Sequence, residues 1–224
     1  MKVLVTGSSR GIGRAAAMKY LEMGNEVYGL DLLKSSISHP KYHHYICDIS
    51  KDELPNIKDI NVIFNNAGKQ NSRDDITNNL KGAINVTKKY AFQKHIKSVL
   101  FNSSASAHTG FEYDEYSASK AGLIGYMKNV AWKLAIYQAT VNSISLGGVT
   151  TESNKSVMED KKMWEKIMEI TPLKKWMSEE EVADWVIFLT LKNKSMSGQD
   201  LLIDNGEKDL NCTFQWPGFE SKLK

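Results

Sequence analysis

Tyr116 and Lys120 stand four residues apart in the run Tyr116-Ser117-Ala118-Ser119-Lys120, with two hydroxyls, Ser103 and Ser104, just upstream. On a helix that spacing puts the phenol and the ammonium on one face, one turn apart. A phenol with a reference pKa of about 10 exchanges protons poorly at neutral pH. A neighbouring ammonium favours the phenolate and lowers that value, each unit corresponding to about 1.36 kcal/mol. Tyrosine, lysine and a nearby hydroxyl therefore make an acid/base device suited to a carbonyl/alcohol pair. Tyrosines and lysines are also common on solvated helix faces, so the pair carries weight only with the elements that would position it.

The chain opens with Lys2-Val3-Leu4-Val5-Thr6, a short apolar run that predicts a buried strand. Gly7-Ser8-Ser9-Arg10-Gly11-Ile12-Gly13 follows, then a helical pattern through Ala15, Ala16, Tyr20 and Leu21. Strand, glycine-rich turn and helix in that order suit a pyrophosphate. The glycines let the backbone approach it, and the helix N-terminus offers N–H groups and a positive dipole end. A second strand is expected over 26–30, with Asp31 directly after it, 18 residues beyond Gly13. A carboxylate there accepts hydrogen bonds from an adenosine ribose and repels a 2′-phosphate, which favours NAD over NADP. Arg10 pulls the other way, as a cation in the glycine loop able to accommodate a phosphate.

Further strands are expected over 43–47, 61–64, 98–102, 140–145 and 201–203. Helices are expected over 74–93, from Tyr116 through Leu134, over 153–170, and over 179–191 with Ser178 as N-cap. Strands alternating with helices imply a doubly wound parallel α/β sheet of Rossmann type, about seven strands with helices on both faces. Ligands in such sheets bind beyond the carboxyl ends of the strands. The glycine loop, Asp31, Asp48, Asn65, Ser104 and Thr151 all fall at that edge. The helix carrying Tyr116 shows apolar residues on more than one stripe. This predicts burial against the sheet on one side and against a second subunit on the other, so a homodimer or homotetramer is expected.

Length and composition set the remaining bounds. A chain of 224 residues, 42% apolar and 25% charged, fits one large domain with a real core. We expect a single dinucleotide-binding and catalytic domain over 1–206, and a tail over 207–224 that carries Phe214, Trp216, Pro217 and Phe219. The 29 basic and 26 acidic residues are interspersed, so no nucleic-acid or membrane partner is expected. Cys47 and Cys212 have no CxxC spacing, and nothing completes a metal site around His39, His43 and His44. No metal is expected. With no apolar stretch of signal-peptide or spanning length, the expected location is the cytoplasm.

With these residues in place, the sequence resembles the short-chain dehydrogenase/reductase family in its single-domain branch, over roughly residues 2–206. Thr6-Gly7-x-x-x-Gly11-x-Gly13 is similar to the family's cofactor loop, and Asn65-Asn66-Ala67-Gly68 to its strand-four motif. The resemblance implies a cofactor site made by Gly7, Ser9, Arg10, Gly11, Ile12, Gly13 and Asp31, with Asp48 and Ile49 at the adenine. It adds Asn66, Ala67 and Gly68, and Tyr116, Lys120, Val149 and Thr151 toward the nicotinamide. It also implies hydride transfer to or from a small carbonyl or secondary alcohol. Tyr116 would be the acid/base. Lys120 would lower its pKa and hold the ribose, and Ser104 would polarise the substrate oxygen. Asn79, in Asn79-Leu80-Lys81-Gly82, would link Lys120 to solvent. Spacing alone leaves Ser103 as the alternative to Ser104. Leu146 replaces the family's usual proline after the sixth strand, implying a less rigid loop there. The segment between Gly68 and Asn79 is short. Residues 152–171 are expected to form a flap, with Met158, Met163, Trp164 and Met168 lining the pocket or packing the flap down. A non-catalytic dinucleotide-binding regulatory protein of the same fold is the alternative, which the full serine, tyrosine, lysine and asparagine set argues against.

Overall fold

Val3, Leu4 and Val5 are wholly buried, and they divide between two cores. Val3 and Val5 belong to one, Leu4 to the other. The same alternation recurs at Val62 and Phe64 against Ile63, and in reverse at Val99 and Phe101 against Leu100. Side chains on a strand point to opposite faces in turn, so unbroken apolar runs require cover on both faces. That is the physical origin of the layered architecture.

The structure is a computed structural model that describes residues 1–210; Cys212, Phe214, Trp216, Pro217 and Phe219, with the rest of the expected tail from 211 on, lie outside the described residues. Its strands are β1 (Lys2–Thr6), β2 (Glu26–Asp31), β3 (Tyr42–Ile46), β4 (Val62–Asn65), β5 (Ser98–Ser104), β6 (Thr140–Leu146) and β7 (Asp200–Ile203). All neighbours pair in parallel, in the order β3-β2-β1-β4-β5-β6-β7. The direction of winding reverses between β1 and β4, which is where such sheets open a crevice for a ligand.

Helices α1 (Gly11–Glu22), α2 (Gly82–Tyr90), α3 (Ser106–Thr109), α4 (Asp114–Leu134), α5 (Lys155–Glu159), α6 (Lys161–Ile170) and α7 (Glu179–Ile187) lie in four of the six connections among the described residues, those from β2 to β3 and from β3 to β4 having none. Ala15, Ala16 and Ala17 of α1 and Val182, Ala183 and Val186 of α7 close one face. Ala83 and Val86 of α2 and Leu123, Met127 and Val130 of α4 close the other. The N-terminus of α7 is held by a capping box in which Ser178 Oγ accepts from Glu181 N and the Glu181 carboxylate accepts from Ser178 N.

Three elements differ from the sequence expectation. The helix expected over 74–93 is a π-helical turn, Ile76–Lys81, followed by α2. The helix expected over 179–191 likewise passes from α7 into a π-helical turn, Phe188–Lys192. The pattern over 153–170 is cut in two at Asp160, whose carboxylate caps α6 by accepting from Met163 N at 3.0 Å. Apolar periodicity cannot separate a wide turn from an α turn, because both keep the same face inward.

Candidate active site

On the cofactor side, Gly7 and Gly11 have φ of +70° and +61°, values that L side chains resist. A Cβ on Gly13 would lie 2.0 Å from the Gly7 carbonyl oxygen, so the loop can fold back onto α1 only with glycine there. Arg10 is the extended N-cap of α1. It makes no side-chain cap, and the first turn holds no acidic residue. The N–H groups and dipole end beside Ser9, Gly11 and Ile12 thus suit an anion. Asp31 closes β2, its Oδ2 accepting from Ser9 N at 2.8 Å and its Oδ1 from Leu33 N at 2.9 Å. Each carboxylate oxygen keeps a second acceptor site. After β3, Asp48 Oδ1 accepts from Ser50 N and Oγ at 2.9 and 2.6 Å. Burial pushes that carboxyl up, but the Ser50 hydrogen bonds, with the Lys51 and Lys69 charges, more than offset it and hold Asp48 below its ordinary range. Ile49 turns its side chain into the core and meets the bare backbone of Gly82.

Asn66 ties β4 to the glycine loop. Its Nδ2 donates to the Thr6 and Gly7 carbonyls at 3.1 and 3.3 Å, while Thr6 Oγ1 accepts from the backbone of Asn66 and Ala67, both at 2.9 Å. Asn102 Nδ2 in turn donates to Asn66 Oδ1 at 2.9 Å, and the Asn102 carbonyl accepts from Lys120 Nζ at 2.8 Å. One chain of hydrogen bonds therefore runs from the glycine loop through β4 and β5 to Lys120.

The two upstream serines separate cleanly. Ser103 Oγ donates to the Lys120 carbonyl at 2.9 Å, which spends it on holding α4 against β5. Ser104 neighbours the Tyr116 phenol and pulls its acidity toward phenolate. Lys120 Nζ lies 5.6 Å from the centroid of the Tyr116 ring. Asn79 sits in the π-helical turn, a feature that often marks functional sites. Its Oδ1 accepts from Lys69 N at 2.7 Å, and its Nδ2 donates to the Lys69 carbonyl and to Ser119 Oγ at 2.9 and 3.0 Å. A Cβ on Gly68 would meet Asn79 Oδ1 at 3.1 Å and Lys120 Nζ at 3.4 Å, so a bare glycine is what lets the amide and the ammonium converge. Val149 and Thr151 follow β6. Val149 bridges to Met177, and its carbonyl accepts from Asn154 Nδ2 at 2.8 Å. Together with Gly147 N on Ile203 O and Met177 N on Gly148 O, these bonds hold the loop despite Leu146.

Burial dominates the electrostatics of Tyr116 and Lys120. It pushes the Tyr116 phenol up to about 12, with the Ser104 hydroxyl pulling down and the Glu112 and Asp75 carboxylates pushing further up. Burial also lowers Lys120 to about 8, only partly opposed by Asp75. In the protein itself, desolvation outweighs the attraction between neighbours because both groups leave water together.

A family model described as enoyl-(acyl carrier protein) reductase matches residues 56–208, more than half of the chain. The chain belongs to the short-chain dehydrogenase/reductase family. As a family member it is an oxidoreductase of the nicotinamide-dependent kind, acting on C=O/CH–OH groups. Similar curated proteins include a 3-oxoacyl-(acyl-carrier-protein) reductase FabG of Buchnera aphidicola, 28% identical over 90% of this chain and 95% of that protein. A glucose 1-dehydrogenase of Gluconobacter oxydans is 29% identical over 92% of this chain and 91% of that protein. A short-chain dehydrogenase/reductase from Burkholderia thailandensis superposes with a TM-score of 0.83 at 22% identity, covering 92% of each chain, and thus shares the fold.

Several groups of this short-chain dehydrogenase/reductase site are invisible to motif reading. Ser106 and His108 lie on α3, an element too short to leave a periodic signal. Glu112, at φ +79°, accepts from Gln70 Nε2 at 3.0 Å, and its charge bears on Tyr116. Trp176 packs on bare Gly148 and meets Trp164 of α6 edge-on, with ring centroids 5.0 Å apart. Trp164 therefore anchors α6 to Trp176, whereas Met163 is exposed. The glycine pair Gly147-Gly148 was the one available hint that a large ring would lie against this loop.

Proposed function

We propose that this chain is a cytoplasmic, NAD(H)-preferring dehydrogenase/reductase for a small carbonyl or secondary alcohol, with Tyr116 as its acid/base. The observation that carries the reading is the convergence of Ser104, Tyr116, Lys120 and Asn79 at the carboxyl edge of β4 and β5, joined by hydrogen bonds to the glycine loop. The glycine cradle and the uncapped N-terminus of α1 fit a dinucleotide, with Gly7 through Gly13 at the pyrophosphate and Asp31 at the ribose. A bound nicotinamide supplies or takes up the hydride. Tyr116 delivers its phenolic proton to the substrate oxygen in reduction and recovers it in oxidation. Ser104 donates a hydrogen bond to that same oxygen, and Lys120 and Asn79 stabilise and resupply the proton. Substrate classes named by the relatives, 3-oxoacyl thioesters and aldoses, head the candidates. Residues 1–206 act as one catalytic unit with 207–224 as its tail. Trp132 and Ile136, 84% and 81% exposed on and just after α4, support a homodimer or homotetramer.

The test is titration with NADH and with NADPH, followed by a panel of 3-oxoacyl thioesters, aldoses and simple ketones with the preferred cofactor. Tyr116→Phe should bind cofactor normally and lose about 10²-fold or more in kcat. Full turnover by Tyr116→Phe would overturn the assigned role.

A further inference from the structure

Ser104 is useful to a carbonyl oxygen only if its hydroxyl proton points outward. A serine hydroxyl has one proton to give and two lone pairs to offer. Both lone pairs have a donor from Ser106, two residues on: the Ser106 backbone N–H at 3.2 Å and the Ser106 hydroxyl at 2.9 Å. Ser106 is 4% exposed, and its hydroxyl has no other hydrogen-bond acceptor among the described residues. With its acceptor capacity taken up, Ser104 is left with one role toward the pocket, that of donor.

We propose that Ser106 is a positioning residue that fixes the polarity of the Ser104 hydroxyl, forcing it to donate toward the Tyr116 oxygen and the substrate oxygen. The inference rests on the reading of Ser104 and Tyr116 given above, and extends it to a residue outside the family motifs quoted. Ser106 is itself held. Ala105 N donates to the Leu146 carbonyl at 2.8 Å, tying the start of α3 to β6. At the other end His108 Nε2 lies 2.7 Å from Asp200 Oδ2 and 3.2 Å from Ser145 Oγ. One ring nitrogen facing both the carboxylate and the serine excludes a hydrolytic relay, which needs the two imidazole nitrogens to face different partners. The cluster is a brace for α3.

The polarity lock is read most directly at Tyr116, without cofactor or substrate. A fluorinated tyrosine placed at position 116 has a more acidic phenol and a single ¹⁹F resonance, so its titration can be followed in the folded protein. The charged groups facing that phenol are Lys120 on its own helix, Glu112 and Asp75 from the flanking loops, and Glu207 behind Glu112. All are left in place. Ser106→Ala should raise the titration midpoint by about half to one pH unit, the loss of one hydrogen bond's bias toward the phenolate. Ser104→Ala should raise it at least as far, and Ser106→Ala added to Ser104→Ala should change nothing more. An unchanged midpoint in Ser106→Ala, an unchanged midpoint in Ser104→Ala, or additive shifts in the double variant would each overturn the proposal. Because the readout needs no turnover, these outcomes are separate from the Tyr116→Phe kinetics that test the catalytic reading.

Discussion

Replacing Lys120 by methionine should make the protein more stable near neutral pH, and the gain should vanish in alkali. Lys120 is 4% exposed, and burial brings its ammonium from the ordinary 10.5 down to about 8. A base with a depressed folded pKa binds its proton more weakly in the native state than in the unfolded chain. Stability therefore rises with pH between the two values. Below pH 8 the penalty is whole, about 3 kcal/mol at 1.36 kcal/mol per pH unit; toward pH 10.5 it disappears. Lys120→Met removes this penalty and also the hydrogen bond to the Asn102 carbonyl, worth about 1 kcal/mol at every pH. The net gain at pH 7 is about 2 kcal/mol, and it shrinks by about that amount by pH 9.5. Urea unfolding of both proteins at the two pH values measures the difference. The Tyr116 phenol, pushed up to about 12, stays protonated in the folded state across this window. A stability difference independent of pH would refute the reasoning, whatever its sign, because the hydrogen-bond and packing contributions carry no such slope. The same variant should lose turnover, the usual exchange of stability for a strained functional group.

Gly13→Ala places a Cβ 2.0 Å from the Gly7 carbonyl, which should cost about 2 kcal/mol or more and abolish dinucleotide binding; calorimetry showing an unchanged melting temperature would contradict the loop geometry. Asp31→Ser removes the carboxylate that bonds Ser9 and Leu33, so the ratio of NADPH to NADH affinity should rise about tenfold, as read by fluorescence titration. A ratio that stays fixed would move the choice of cofactor to Arg10 and its neighbours. Ser178→Ala breaks the capping box with Glu181 and should lower stability by about 1 kcal/mol, a drop of about 2–4 °C in Tm for a protein of this size.

The sheet was legible because its code is local. Val3-Leu4-Val5, Val62-Ile63-Phe64 and Val99-Leu100-Phe101 are apolar on both faces, and only a strand covered on each side requires that. The order in which glycine loop, Asp31, Asn66 and Tyr116 occur along the chain then follows from the parallel crossovers. What stayed hidden depends on turns and on third partners. Asn79 reaches Lys69 and Ser119 from a π-helical turn, which apolar periodicity does not distinguish from an α turn. Ser103 and Ser104 look equivalent in sequence, and only the register of β5 against α4 sends the first to the Lys120 carbonyl.

The charges show the deeper limit. Adjacency in sequence correctly put Lys120 one turn from Tyr116, and Coulomb's law then favours the phenolate. How much that attraction counts is set by what surrounds the pair, which the whole fold decides. With both groups buried, the lysine holds its proton less tightly and the tyrosine holds its proton more tightly. A lysine pulled toward 8 still carries its charge at pH 7, so Lys120 and a hydrogen bond that donates to the tyrosine oxygen both bias the phenol toward phenolate. Ser104 is the group in place to make it, and Ser106 takes up the acceptor sites that would otherwise let it turn away. Acidity at position 116 therefore depends on the direction of a serine proton as well as on the nearness of an ammonium.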